Sequence, residues 1–162
     1  GALVAAFAYD TKVLLERYSP QYRFSTLGDQ TISEALLTPT RIYAKDVLAL
    51  LETVQVKAFA HITGGGLPGN VPRTLPDGMK AVIDDRRWPI PPIFELLARE
   101  GDVSREEMLS TFNMGIGLVA VTSPNDADTC QATLRARGLD SWTIGTIERG
   151  PEGAEATCEV VR

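Results

Sequence analysis

Val56-Lys-Ala-Phe-Ala-His-Ile-Thr-Gly-Gly-Gly-Leu-Pro-Gly-Asn-Val-Pro-Arg73 passes from strand to loop to helix within one short stretch. The apolar run Val56 to Ala60 reads as a buried strand that continues to Ile62, and Leu67 to Arg73 reads as the start of a helix with Pro68 in its first turn. Between them stand three consecutive glycines, Gly64, Gly65 and Gly66. Glycine loses more backbone freedom on folding than any other residue, so a run of it belongs where backbone turns sharply or comes very close to something. Bare amide N–H groups, the Thr63 hydroxyl and the Arg73 charge together suit an oxygen-rich anion such as a phosphate ester. A tight turn with no ligand accounts for the glycines equally well at this level. The spacing is neither that of a Walker loop nor that of the Gly-x-Gly-x-x-Gly dinucleotide fingerprint.

Upstream, Val4 to Arg17 reads as a helix ended by Tyr18-Ser-Pro20, because proline cannot continue the ladder. Thr31-Ile-Ser-Glu34 has capping-box spacing and leads a short helix to Leu37. Thr38-Pro39-Thr40 breaks the chain before an amphipathic helix, Arg41 to Val54. On that helix Ile42, Val47, Leu48, Leu51 and Val54 fall near one face, with Lys45, Asp46 and Glu52 outside it. Downstream, Leu75 to Gly78 is a turn and Met79 to Ile83 a strand. Trp88-Pro-Ile-Pro-Pro92 launches a helix over Ile93 to Glu100 that Gly101 ends, and Ser104 to Glu107 has capping-box spacing again. Thr111-Phe-Asn-Met-Gly-Ile-Gly117 is a second glycine-containing segment, running into the strand Leu118 to Thr122. A helix over Asn125 to Arg137 with Gly138 as its cap, a strand over Trp142 to Glu148 and a final strand over Ala156 to Val161 complete the chain. The closing β-α-β-β order implies an antiparallel hairpin. The fold class expected is therefore α+β, a sandwich with a mixed β-sheet covered by helices.

A length of 162 residues fits a single domain over 1–162, large enough to bury most of its surface. Sixteen basic against twenty-one acidic residues give a net charge of -5, and no dense Lys/Arg cluster offers a phosphate-backbone track, so no nucleic-acid partner is expected. The apolar start, Gly1 to Ala8, is too short to span a bilayer and lacks the basic region of a signal peptide, so no membrane partner is expected either. Because the chain opens without Met, directly in an apolar segment, it is expected to be an excised domain or a processed product. Cys130 and Cys158, far apart and without Cys-x-x-Cys spacing, fit a reducing cytoplasm, and one histidine makes a metal site improbable.

His61 is the only imidazole, so no Ser-His-Asp arrangement can be built and no catalytic residue is assigned. At the mouth of the glycine loop it could donate to an anion or exchange a proton; a structural hydrogen bonder is the competing reading. Asn113, set between Phe112 and Met114, is the most unexpected polar residue, and its amide calls for partners in the glycine loop or a ligand. Asp84-Asp85 does not make a metal pair, since neighbours on a strand point to opposite faces, and a solvated turn is expected there. Arg41 could reach a phosphate or a carboxylate, or make an ordinary salt bridge.

The two glycine segments, in this order and with Leu37-Thr-Pro-Thr-Arg-Ile-Tyr43, Ala81-Val-Ile-Asp84 and Trp88-Pro between or before them, resemble the C-terminal domain of the phosphoribosylformylglycinamidine cyclo-ligase family, over about residues 12 to 150. The resemblance implies an ATP-dependent ring closure in purine biosynthesis, in which formylglycinamidine ribonucleotide becomes aminoimidazole ribonucleotide with release of ADP and phosphate. ATP and magnesium would be held mainly by an N-terminal ATP-binding domain missing from this chain, so no cofactor is expected here. The substrate or phosphate contacts implied are Thr63, Gly64, Gly65, Gly66, Asn70 and Arg73, with His61 and Asn113 as supporting or direct contacts. One departure stands out: where family members carry Gly-x-His-Ser-Asn-Gly, this chain reads Gly1-Ala-Leu-Val-Ala-Ala6. No turnover by the chain alone is therefore expected. The alternative is a non-catalytic or self-associating module, with the apolar start favouring a homo-oligomer.

Overall fold

The computed structural model describes residues 14–162. The expected helix Val4 to Arg17 lies mostly outside the described residues; residues 14–17 are helical. The helices of the fold are α1 (Ile32–Leu36), α2 (Ala44–Thr53), α3 (Gly66–Asn70), α4 (Pro92–Gly101), α5 (Arg105–Thr111) and α6 (Ala127–Ala136). The strands are β1 (Ala58–His61), β2 (Met79–Asp84), β3 (Leu118–Val121), β4 (Gly145–Arg149) and β5 (Thr157–Val161). This is the α+β arrangement expected, but the strands divide into two sheets. β1 and β3 form an antiparallel ribbon, and β4-β2-β5 a mixed sheet in which β2 is antiparallel to β4 and parallel to β5.

The expected hairpin between the last two strands does not form, because β2 lies between β4 and β5. Periodicity identifies strands and leaves their neighbours open, and β2, from far upstream, takes the place between the two. The β1 pairing extends past its ends through Lys57 N–H to Val121 O (2.7 Å) and Ile62 N–H to Gly117 O (2.9 Å), close to the expected bounds.

Alternation along β1 directs Phe59 and Ala60 to opposite faces. Ala60 joins the main core, with Ile62, Leu67, Ile83, Trp88, Leu97 and Met108, and Phe59 packs against a smaller cluster of Leu50, Val54 and Cys130 between α2 and α6. The α2 face expected to be inward is corrected by this packing. Leu50 and Val54 are buried, whereas Ile42, Leu48 and Leu51 are 84%, 62% and 54% exposed. Asp46, expected outside, is buried. The spacing 46, 50, 54 places these three on one helix face, and Arg137 beyond α6 donates through Nε to Asp46 Oδ1 at 2.8 Å. Arg41 Nε stands 3.8 Å from Asp46 Oδ2, so the salt-bridge reading of Arg41 holds.

Thr31 closes the full capping box, with Glu34 N–H donating to Thr31 Oγ1 (3.2 Å) and Thr31 N–H to Glu34 Oε2 (2.8 Å). At Ser104 only the forward half forms, from Glu107 N–H (3.2 Å). The left-handed residue ending α4 is Asp102 (φ 51°) and not Gly101, which closes the helix itself.

Candidate functional site

β1 ends at His61 and β3 begins at Leu118, and antiparallel register sets these two residues opposite each other. The loop leaving β1 and the loop entering β3 therefore lie at one end of the ribbon. They are the two glycine segments, joined by the Ile62–Gly117 bond. The segment before α2 reaches the same end: a Cβ on Gly117 would sit 2.0 Å from Tyr43 Oη, and the Tyr43 ring lies 6.2 Å from that of His61. Tyr43 is the contact that residue-by-residue reading missed. Its signal was its place in Leu37-Thr-Pro-Thr-Arg-Ile-Tyr43, just before a helix.

In the first segment the glycines have separable jobs. Gly65 (φ 98°) and Gly66 (φ 56°) are left-handed, a region costly for residues with a Cβ. Gly66 also abuts α5 so closely that a Cβ would lie 1.9 Å from Leu109 O and 2.7 Å from Phe112 O. Its presence is explained by the fold alone. Gly64 differs from both: it is exposed and is not among the left-handed glycines. Among the described residues, no acceptor takes the backbone N–H of Thr63, Gly64 or Gly65. Three consecutive free amides at an exposed turn form a concentration of partial positive charge.

Asn70 sets that turn from below. It is buried, and its Nδ2 donates to Gly66 O (2.7 Å), with longer contacts to Gly64 O (3.2 Å) and Thr63 O (3.3 Å). Thr63 Oγ1 lies 3.4 Å from Asn70 Oδ1. The Asn70 amide gathers the Thr63, Gly64 and Gly66 carbonyls, and because each trans peptide sets its N–H opposite its C=O, the Gly64 and Gly65 amides point away from it. Thr63 and His61 are exposed at the surface. Arg73, in the single turn Pro72–Thr74 that lies against β1, is exposed and has no carboxylate partner among the described residues.

The second segment closes on itself. Asn113 Oδ1 accepts from Gly115 N–H (2.9 Å), and Ile116 N–H donates to Asn113 O (2.9 Å). Asn113 is half-buried, and the structure connects its amide to its own loop rather than to the first segment. Met114 adopts φ 50°, which costs a residue with a Cβ about 1–2 kcal/mol. Trp88, buried, holds it there: Nε1–H donates to Met114 O at 2.9 Å.

The acidic pair is not a solvated turn, as was expected. Asp85 is buried and salt-bridged to Arg105, while Asp84 takes the Arg86 guanidinium on both oxygens (2.9 and 3.0 Å). The Arg86 side chain, then its backbone N–H, holds the Asp84 carboxyl down at about 2. Burial pushes both thiols up, Cys158 to about 11, so neither is poised as a nucleophile. Among the described residues no three His, Cys, Asp or Glu side chains gather as a metal site, and no helix is long and apolar enough to cross a membrane.

An α+β domain with a row of unbonded amides and a second glycine loop at one end of its β1–β3 ribbon is the class this geometry defines. The chain belongs to the AIR synthase related protein family, matching its C-terminal domain over residues 9–156. It is 65% identical over 156 residues to the phosphoribosylformylglycinamidine cyclo-ligase of Anaeromyxobacter dehalogenans (strain 2CP-1), which covers 96% of this chain and 45% of that relative. It is 50% identical over 131 residues to the enzyme of that name from Myxococcus xanthus, covering 81% of this chain and 38% of the relative. It is 52% identical over 123 residues to the one from Nitrosococcus oceani, covering 76% and 34%. The chain thus spans less than half the length of these curated relatives.

Proposed function

We propose that this chain is the substrate-side domain of a phosphoribosylformylglycinamidine cyclo-ligase, and that its first glycine segment receives the phosphate of the ribonucleotide. The observation that carries the reading is the row of unbonded amides at Thr63, Gly64 and Gly65. A phosphate offers several acceptor oxygens, and such a row can satisfy them without a metal. Arg73 supplies a full charge, and a guanidinium binds phosphate oxygens in pairs. His61 and Thr63 line the approach; Asn70 and Asn113 position backbone. Residues 1–162 form one domain in this reading, cytoplasmic in location, and ATP with magnesium is held by the N-terminal part that the relatives possess. The chain alone has no turnover.

Titration calorimetry with formylglycinamidine ribonucleotide tests the reading. Binding by the parent, weakened about tenfold in Arg73→Ala, is expected for loss of one charged pair. A folded parent that gives no heat, or an Arg73→Ala protein that binds equally well, would overturn the phosphate assignment. Turnover of the ribonucleotide by this chain with ATP would overturn the half-site reading.

A second reading is favoured by one observation. Leu37, Ile42, Leu48 and Leu51, on α2 and the segment before it, are 79%, 84%, 62% and 54% exposed. Exposed apolar groups in one stretch suit contact with another protein surface, the rest of the enzyme or a second copy. Sedimentation of the chain beside Leu48→Lys separates the two: dissociation of an oligomer by the substitution would assign the face to self-association.

A further inference from the structure

A pocket of about 450 Å³ opens between the end of α6 and the segment that returns toward β4, and none of its lining residues belongs to either glycine segment. Its wall is built by a short reversal. Gly138, left-handed at φ 73°, turns the chain back across the last turn of α6. Gln131 Nε2 then donates to Thr143 Oγ1 at 2.8 Å, and Arg87 Nη1 reaches Thr143 O at 3.5 Å. Thr143 is thereby bonded through both its side chain and its carbonyl, and its neighbour Trp142 stands at the pocket with 39% of its surface exposed.

The charge balance of this corner is opposite to that of the molecule. The chain carries a net -5, yet three guanidiniums, Arg86, Arg87 and Arg135, meet two carboxylates, Asp84 and Asp140, in and beside the pocket. Asp84 is held more closely by Arg86 (2.9 Å) than by Arg87 (3.7 Å). Arg135, in the last turn of α6, has no carboxylate partner among the described residues. An indole face and guanidinium planes stack on planar rings, and a free guanidinium takes phosphate oxygens in pairs. The volume is at the smaller end of the range for small-molecule sites, enough for one nucleotide unit.

We propose that this pocket is a second binding site, separate from the glycine-loop end, that takes a nucleoside monophosphate with its base on Trp142 and its phosphate on Arg135 and Arg87. It does not rest on the ribonucleotide reading of the first segment.

Adenosine monophosphate is the probe, followed by tryptophan emission and calorimetry on the chain, with circular dichroism to show that each variant is folded. Trp88 is buried, so quenching reports on Trp142, and Trp142→Phe should abolish it. Arg135→Ala should weaken the binding reported by Trp142 quenching about tenfold, while Arg73→Ala, which acts at the other end of the domain, shifts the heat of any glycine-loop binding and not the quenching curve. Adenosine and inorganic phosphate should each bind more weakly than the joined molecule. The proposal is overturned if folded parent shows neither quenching nor heat, or if Arg135→Ala binds as the parent does. It is equally overturned if Arg73→Ala abolishes the Trp142 quenching, which would put the ligand on the glycine loop, if heat appears without quenching, or if phosphate alone binds as tightly as the nucleotide.

Discussion

The two glycine segments occupy the same end of the β1–β3 ribbon and differ in what their backbone amides do. In the first, the amides of Thr63, Gly64 and Gly65 face outward with no acceptor, while the carbonyls are gathered by Asn70. In the second, Gly115 and Ile116 donate back to Asn113, Trp88 donates to Met114 O and Tyr43 lies against Gly117, while the N–H groups of Asn113, Met114 and Gly117 have no acceptor among the described residues. Similar composition thus serves two ends: the first segment sets three consecutive unbonded amides beside carbonyls gathered by Asn70, and the second is braced by the Asn113 side chain and by Trp88. A glycine run is evidence for a ligand only after the glycines required by the fold have been set aside.

That distinction is sharpest within the first segment. Gly66→Ala forces a Cβ onto two backbone carbonyls in a left-handed conformation, and should destabilise the domain by about 3 kcal/mol or more from overpacking and strain together. Gly64→Ala adds a methyl group at an exposed position with ordinary φ and should change stability by about 0.5 kcal/mol or less. Urea unfolding of both proteins measures the difference. Equal losses would erase the division between fold-required and ligand-facing glycines.

Much of this arrangement is legible in the sequence, and the illegible parts share a cause. The Thr31–Glu34 box, the strand before His61 and the Pro92 helix start are local, set by residues three or four apart, and were read within a residue or two of their observed bounds. The inward face of α2 was misread because burial of Asp46 depends on Arg137, which is 91 positions away. The β4–β5 hairpin failed for the same reason, since β2 arrives from far upstream to separate them. At the site, the glycine segments, His61 and Arg73 were visible as residue types. The inward turn of the Asn70 amide and the contact of Tyr43 with Gly117 were not, because both are facts of packing.

Asn70 and Trp88 carry the next test, one for each segment. Removing a buried donor leaves its carbonyl partners unsatisfied, at about 1–3 kcal/mol. Asn70→Ala should lose that much stability and also weaken ribonucleotide or phosphate binding, because the outward amides are no longer held together. Trp88→Phe strips the bond from Met114 O and leaves a gap where the larger indole filled the core, and should lose a similar or larger amount of stability with binding at the first segment unchanged. Calorimetry beside thermal unfolding gives both readouts. If Trp88→Phe lowers affinity as much as Asn70→Ala does, the segments act as one unit and the contrast drawn between them fails.

Asp84 offers the smallest effect and the finest probe of the Trp88 brace. It anchors the turn leading to Trp88 through Arg86, and its carboxyl is lowered from 3.8 to about 2, first by the Arg86 side chain and then by the Arg86 backbone N–H. A carboxyl lowered on folding contributes stability that is fully present above its unfolded value and is lost as pH falls through its folded value. The contribution should therefore be intact at neutral pH and vanish between about pH 4 and pH 2. In that window Asp84→Asn should show a shallower fall in unfolding midpoint than the parent, and at neutral pH it should be slightly the less stable of the two. Because the turn carries Trp88, parent emission from this residue should shift toward that of exposed indole in the same window, ahead of global unfolding. Parallel acid curves for the two proteins would mean that the Arg86 pair is without consequence for that brace, and that Trp88 is held by core packing alone.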